Sequence, residues 1–315
     1  MIDKKELYND ISQDLFLSEK KVERVFIRSP HTYKRYSIPK RGGGKREIAQ
    51  PARETKYIQS WLIENVYSKL PVHEAATAYR QGRGIKENVE THKDNKYFAK
   101  FDFENFFPSI KEICVLRLLE RHFSGDYEAE SLAVMARVAC IFQPSVKELC
   151  LSIGAPSSPI ISNAVMYDFD MEVSEWSASK GLTYTRYADD MIFSTNTKDN
   201  CREIQNKILE SSERMVGVNL SLNTKKTTFL SKKSQRRVTG LIVNNDDQVS
   251  LGRAKKREIK ALVHRFDIGA LSDDDLNYLQ GLLGFAKHVE PSFISSLCRK
   301  YGPEVIFKVL KHRKQ

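Results

Sequence analysis

The sequence predicts a mixed fold of helices and short strands, packed as adjoining subdomains. Three observations predict it. Strand-like and helix-like hydrophobic spacings alternate through the first two thirds of the chain, and helical spacing dominates the last third. No Pro/Gly/Ser-rich linker, internal repeat or low-complexity tract divides the 315 residues. Hydrophobic residues make up 41% and charged residues 29%, the balance of a chain that buries a core.

Taken in order, Tyr36–Pro39 and Arg46–Ala49 flank Gly42-Gly43-Gly44, which reads as a β-hairpin. Gly44-Lys45 lacks the Gly-x-x-x-x-Gly-Lys-Ser/Thr spacing and the strand-to-helix setting of a phosphate-binding loop. Tyr97–Phe103 alternates, with Ala99, Phe101 and Phe103 on one face and Lys100 and Asp102 on the other. Ser157-Ser158-Pro159 reads as a helix start with proline in the first turn. Ile161, Val165, Phe169, Val173 and Trp176 follow at helical spacing, predicting one helix over 158–176 with a core-facing stripe. Leu182–Tyr187 and Met191–Thr195 read as apolar strands around Ala188-Asp189-Asp190. Ser272 followed by Asp275 resembles a capping box that opens a C-terminal helix.

Lys and Arg exceed Asp and Glu by +11, which suits a polyanionic partner, nucleic acid first among them, or equally an inert basic surface; three basic zones separated in sequence could line one groove. Arg28–Tyr57 holds nine basic residues and two acids, Lys225–Arg237 six basic residues and none, and Leu251 to the end thirteen against seven. Met1–Glu6 is polar and reads as no signal peptide, and Leu132–Phe142 is too short and too polar to span a bilayer. The five widely spaced cysteines form no Cys-x-x-Cys pair, so the expectation is a reduced, cytoplasmic protein without membrane partners.

The acids that need explaining are Asp102 and Asp189-Asp190, each set in or beside a strongly apolar strand. A carboxylate there is costly unless paired or bound to a cation. Hard oxygen donors without His or Cys favour Mg²⁺ or Mn²⁺. Two adjacent acids at a hairpin tip, joined by a third from a neighbouring strand, make a platform for two ions about 3.5–4 Å apart, as in-line phosphoryl transfer uses. The plain alternative is that Asp189-Asp190 is only a turn.

At this point the residues resemble a family. Phe101–Ile110 looks like the first catalytic motif of reverse transcriptases, Gly154–Pro159 like their template- and nucleotide-facing motif, and Arg186–Asp190 like their second catalytic motif. Ile38–Lys40 through Arg46–Ile48 resembles their fingers hairpin, and the order and spacing fit over nearly the whole chain. Within that family the chain resembles the bacterial retron type: it ends after one basic helical region, without room for an RNase H or endonuclease domain. Asn88-Val89-Glu90-Thr91-His92 matches the retron Asn-Ala-x-x-His element apart from Val89, and Val238-Thr239-Gly240 matches a Val-Thr-Gly element. One departure is Ser152-Ile153, where the family carries Pro-Gln; Ile153 replaces a glutamine that helps to position the nucleotide.

The resemblance implies an α+β right hand: fingers over 1–95 and 111–160, palm over 96–110 and 161–244, and a helical, RNA-binding thumb over 245–315. It implies catalysis by Asp102, Asp189 and Asp190 with two Mg²⁺ ions (Mn²⁺ the alternative) held by these residues and Phe103. Lys40 and Arg46 would hold the triphosphate of a dNTP, and Phe107 would exclude a ribose 2′-hydroxyl. Asn88, His92, Lys232, Lys233, Arg236, Arg237, Val238, Thr239 and Gly240 would hold a cognate structured noncoding RNA. That RNA would serve as template and primer for a short single-stranded DNA branched from an internal guanosine 2′-hydroxyl. An accessory effector protein and a role in anti-phage defence complete the implication. The rivals are another small bacterial reverse transcriptase, of intron or diversity-generating type, and a non-catalytic RNA-binding scaffold that restrains a toxin; intact buried acids argue against the scaffold. An RNA-dependent RNA polymerase would share the palm, and the bulky Phe107 speaks against it.

Overall fold

The computed structural model describes residues 1–39, 43–198, 201–215 and 217–312. The chain forms two compact units. The first comprises Met1–Tyr79, Lys100–Phe193 and Asp199–Thr228; the second comprises Arg80–Ala99, Ser194–Lys198 and Phe229–Gln315.

In the first unit the expected hairpin forms from strands Tyr33–Pro39 and Lys45–Pro51, antiparallel, with Tyr36 opposite Ile48 and Ile38 opposite Arg46. Gly43 and Gly44 take φ +87° and +81° at its tip, where a side chain would be strained. The base of the hairpin is buried: Ala49 packs with Ile141 and Cys150 under Tyr33. The Ala49 amide donates to the Ile153 carbonyl at 2.8 Å, which fixes the loop carrying Gly154 against the hairpin.

The central sheet runs in the order Thr183–Tyr187, Asp190–Thr195, Tyr97–Glu104, Ser221–Leu222. Ala99, Phe101 and Phe103 are buried as the alternation predicts, and Phe98 and Asp102 of the opposite face are buried too, so both faces of the strand are covered. Aromatic rings pack along it, with Phe101 edge-on to Phe193 of the neighbouring strand at 5.9 Å and Phe103 edge-on to Phe169 of a covering helix at 5.8 Å. Phe169 lies on Tyr167–Ser179, the second of two helices. The single helix expected over 158–176 is therefore divided: Ser158–Val165 ends at Met166, whose ψ of 4° departs from helical geometry, and the next helix starts at Tyr167.

In the second unit, helix Ile85–His92 accompanies a three-stranded sheet, Arg236–Val238, Leu241–Val243 and Val249–Ser250. Four helices follow: Arg253–Asp267, Asp273–Val289, Pro291–Tyr301 and Pro303–Lys311. Ile259, Val263, Leu279, Leu283, Leu297 and Val309 form their buried stripe. Ser272 caps the second of them as its sequence predicts, accepting from the Asp275 amide at 3.3 Å. Among the described residues no helix is long and apolar enough to cross a membrane.

Candidate active site

Asp102 projects from the central strand of the first unit and is buried. The adjoining hairpin turns at Ala188, which adopts φ +57°, and delivers Asp189 and Asp190 beside it. A main-chain bond holds the two together: the Phe103 amide donates to the Asp189 carbonyl at 3.1 Å. Phe103 itself is a buried ring, so only its main-chain carbonyl could ligate an ion.

The three carboxylates repel one another in a poorly solvated site. Burial raises the Asp189 carboxyl, and the charge of Asp102 adds to it. Burial and then the charge of Asp189 push Asp190 up to about 7. Opposing them, Lys226 donates its ammonium to both Asp102 oxygens at 2.7 and 2.9 Å. Among the described residues no set of three His, Cys, Asp or Glu side chains is drawn together so as to hold a metal ion as it stands. The trio is a neighbourhood, with Asp102 committed to an ammonium. Its chemistry nonetheless fits a hard divalent ion: all donors are oxygens, two of the acids hold their protons above the ordinary range, and a cation already sits on the third.

A buried network stands behind the turn. Arg186 and Asp170 are both fully buried, with Arg186 Nε and Nη2 donating to Asp170 Oδ1 and Oδ2 at 2.8 and 2.6 Å. Tyr184 donates its hydroxyl to Asp170 Oδ1 at 2.8 Å. Arg186 Nη1 donates to the Ala188 carbonyl at 3.0 Å, so the guanidinium holds the left-handed residue that aims Asp189 and Asp190.

Asn105, at φ +48°, is a residue type that tolerates the left-handed region, and it turns the chain into the short helix Phe106–Ser109. That turn leaves Phe107 half-buried at the wall of a cavity of about 410 Å³, shared with Tyr79, Ile153, Gly154, Ala155 and Lys56. The cavity neighbours the acids: burial raises the Tyr79 hydroxyl, and Asp189 raises it further. Gly154 has φ +119°, and a Cβ there would lie 2.9 Å from the Ala49 carbonyl oxygen, so the approach of loop to hairpin requires glycine. Arg46 is exposed on the hairpin, and its charge favours ionised Asp189. Lys40 lies outside the described residues.

The residues expected to hold RNA divide sharply. In the second unit Asn88 and His92 are buried; burial lowers the His92 imidazole to about 3, so it is neutral, and its Nδ1 lies 2.7 Å from Ser194 Oγ. Arg236 requires a correction. It is 1% exposed. Its guanidinium donates to the Asn95 carbonyl at 2.7 Å, to Asp247 Oδ1 at 2.8 Å and to the Asn244 carbonyl, and it lies over the Phe98 ring. These bonds make Arg236 a brace between segments of the unit, with no face left for a phosphate. Val238 is likewise buried. Thr239 and Gly240, at φ +44° and +92°, form the two-residue turn that joins Val238 to Leu241. Lys232, Lys233, Arg237 and Gly240 remain exposed, with Lys232 paired to Asp247 at 2.7 Å.

Three residues of the site were missed by sequence reasoning. Asp170 is an acid next to Phe169 on the core-facing side of a helix, a signal that was readable. Lys226 was read only as one of a basic run, and Tyr79 carried no signal.

Comparison with known proteins shows the family. Residues 38–243 match the family described as reverse transcriptase (RNA-dependent DNA polymerase). The chain is 39% identical over 283 residues to the retron Ec83 reverse transcriptase of Escherichia coli, spanning 89% of this chain and 90% of that one. It is 37% identical to the retron Ec73 reverse transcriptase of the same organism, over 89% and 90% of the two chains. Identity to the retron Ec86 reverse transcriptase, also from Escherichia coli, is 29% over 95% and 92%.

Proposed function

Because the chain belongs to the retron-type reverse transcriptases, and is thereby an RNA-directed DNA polymerase with the right-hand fold of that family, we propose that Asp102, Asp189 and Asp190 are its catalytic acids. The product in this reading is a short single-stranded DNA, copied from part of a cognate structured noncoding RNA and primed from an internal guanosine 2′-hydroxyl. The observation that carries the site assignment is the placement of Asp102 and the Asp189-Asp190 hairpin on neighbouring strands, joined by the Phe103 amide on the Asp189 carbonyl.

Two Mg²⁺ ions, when bound, would supply activation of the primer hydroxyl and stabilisation of the pyrophosphate leaving group. The chain's own residues do the remainder. Asp102, Asp189, Asp190 and the Phe103 carbonyl would hold the ions, and Asp190 must give up its carboxyl proton before it can do so. Arg186 holds the Ala188 carbonyl, and with it the turn that carries both hairpin acids. Arg46, with Lys40, offers positive charge to the triphosphate; the planar guanidinium can grip two oxygens at once. Phe107 presents its ring to the nucleotide sugar, and a ribose 2′-hydroxyl would clash with it. Ile153 gives the same cavity an apolar side chain, so the nucleotide is held by shape at that point instead of by a side-chain amide.

Thr239, Gly240, Lys232, Lys233 and Arg237 would meet the RNA, with Asn88, His92 and Arg236 shaping that surface from beneath. An accessory effector, a cytoplasmic setting and a role in anti-phage defence belong to the same proposal. Purification of the full chain from its host, followed by sequencing of the bound nucleic acid, tests it. The expected result is one RNA species joined through a 2′ branch to a short DNA. Recovery of DNA with a free 5′ end, or of RNA without attached DNA, would contradict the proposed 2′-branched product.

A further inference from the structure

Lys226 occupies an unusual place for a lysine in a basic stretch. Asp102 is buried, yet both of its carboxylate oxygens accept from one ammonium, at 2.7 and 2.9 Å. The placement is built into the backbone. The Asn223 amide donates to the Asp102 carbonyl at 2.8 Å, and the Lys226 amide closes a turn onto the Asn223 carbonyl at 3.0 Å. The segment Asn223–Lys226 is therefore pinned to the very residue that its lysine neutralises. The stem leaves the side chain 58% exposed, with room to swing out, whereas Asp102 at 6% has nowhere to turn. Asp189 and Asp190 add their charge to the same ammonium.

We infer that Lys226 is a resident counter-cation, which a divalent ion must displace from Asp102 in order to bind. The inference rests on the polymerase reading of the acids and goes beyond it: the metal-free site is held together by an internal cation, and metal loading is an exchange of ammonium for metal. Two consequences follow from the geometry. Removing the ammonium should strengthen metal binding, because the ion no longer competes with a two-oxygen ion pair and meets one positive charge fewer. It should also weaken the metal-free fold, because a buried carboxylate loses its partner, and added metal should restore it.

The test uses the full-length protein and Mn²⁺ alone, with free Mn²⁺ counted by its electron paramagnetic resonance signal and thermal melting recorded in parallel. Lys226→Met is expected to lower the Mn²⁺ dissociation constant at least tenfold. It should melt below wild type without metal and gain more than wild type when Mn²⁺ is added. Lys226→Gln, which keeps a polar tip, should behave the same way should the methionine variant fold poorly. Lys100→Met removes a positive charge that acts on Asp190, and should tighten Mn²⁺ binding much less. Equal effects of Lys100→Met and Lys226→Met would overturn the inference, since charge alone would then suffice. Unchanged Mn²⁺ affinity in both Lys226 variants, with binding abolished by Asp189→Asn, would overturn it while leaving the metal site intact. Mn²⁺ binding that ignores Asp189→Asn would overturn the site assignment and the exchange with it.

Discussion

Replacing Asp170 by asparagine probes the network behind the catalytic turn at nearly constant shape. Asp170 accepts three bonds, from Arg186 Nε at 2.8 Å, Arg186 Nη2 at 2.6 Å and the Tyr184 hydroxyl at 2.8 Å, and both ionic partners have no exposed surface. The Asn163 side chain and the Ala188 carbonyl, the remaining partners of the guanidinium, are neutral. An orphaned buried charge costs about 3–5 kcal/mol. For a chain of this size that is a fall in melting temperature of roughly 5–10 °C. Substituting all three buried partners, as Asp170→Leu, Tyr184→Phe and Arg186→Met together, should recover most of this loss, because no charge is then left unpaired. DNA synthesis should not recover, since the Ala188 carbonyl, at the left-handed residue of the turn, then loses its bond from Arg186. Differential scanning calorimetry and single-nucleotide extension read the two effects separately. An Asp170→Asn protein that melts with wild type, or a triple variant that regains full synthesis, would refute the reasoning.

Phe107→Ala should admit rGTP while dGTP use persists, with discrimination falling by about 5- to 150-fold, the scale of one steric contact of 1–3 kcal/mol; parallel extension of a fixed primer measures the ratio. In the metal-free protein Asp190 keeps its proton up to about 7, against an ordinary 3.8. The folded state thus holds an extra proton in that interval, and stability should fall as pH rises from about 4 to about 7, then level off. Melting curves against pH should lose this slope with saturating Mg²⁺ or in Asp190→Asn. Arg236→Ala should destabilise the second unit by about 3 kcal/mol without flattening the salt dependence of RNA binding. Lys233→Ala with Arg237→Ala should reduce that salt slope by about 2 and leave melting unchanged, as filter binding and calorimetry would show.

Much of this was legible in the sequence because the informative residues violate a local rule. Asp102 interrupts a run of aromatic strand residues, and the hairpin acids sit between two apolar strands; an acid in such a setting announces chemistry. The hairpin glycines and the Ser272 cap were legible for the same reason, as each residue type satisfies a specific backbone need. The unread parts depend on contacts far apart along the chain. Arg236 looks like its basic neighbours until Asn95, Asn244 and Asp247 are folded around it. Lys226 lies 124 positions from the carboxylate that it neutralises, and no local pattern encodes that distance. The division at Met166 escaped because hydrophobic spacing continues through it: Val165, Phe169 and Val173 keep their rhythm while one ψ angle does not.

Magnesium-dependent addition of a single dNTP to a primer on an RNA template, by wild type and Asp189→Asn in parallel, tests the three-carboxylate site most directly. Wild type should extend the primer, and a folded, RNA-binding Asp189→Asn protein should not. Extension by the variant at the wild-type rate would contradict the assignment.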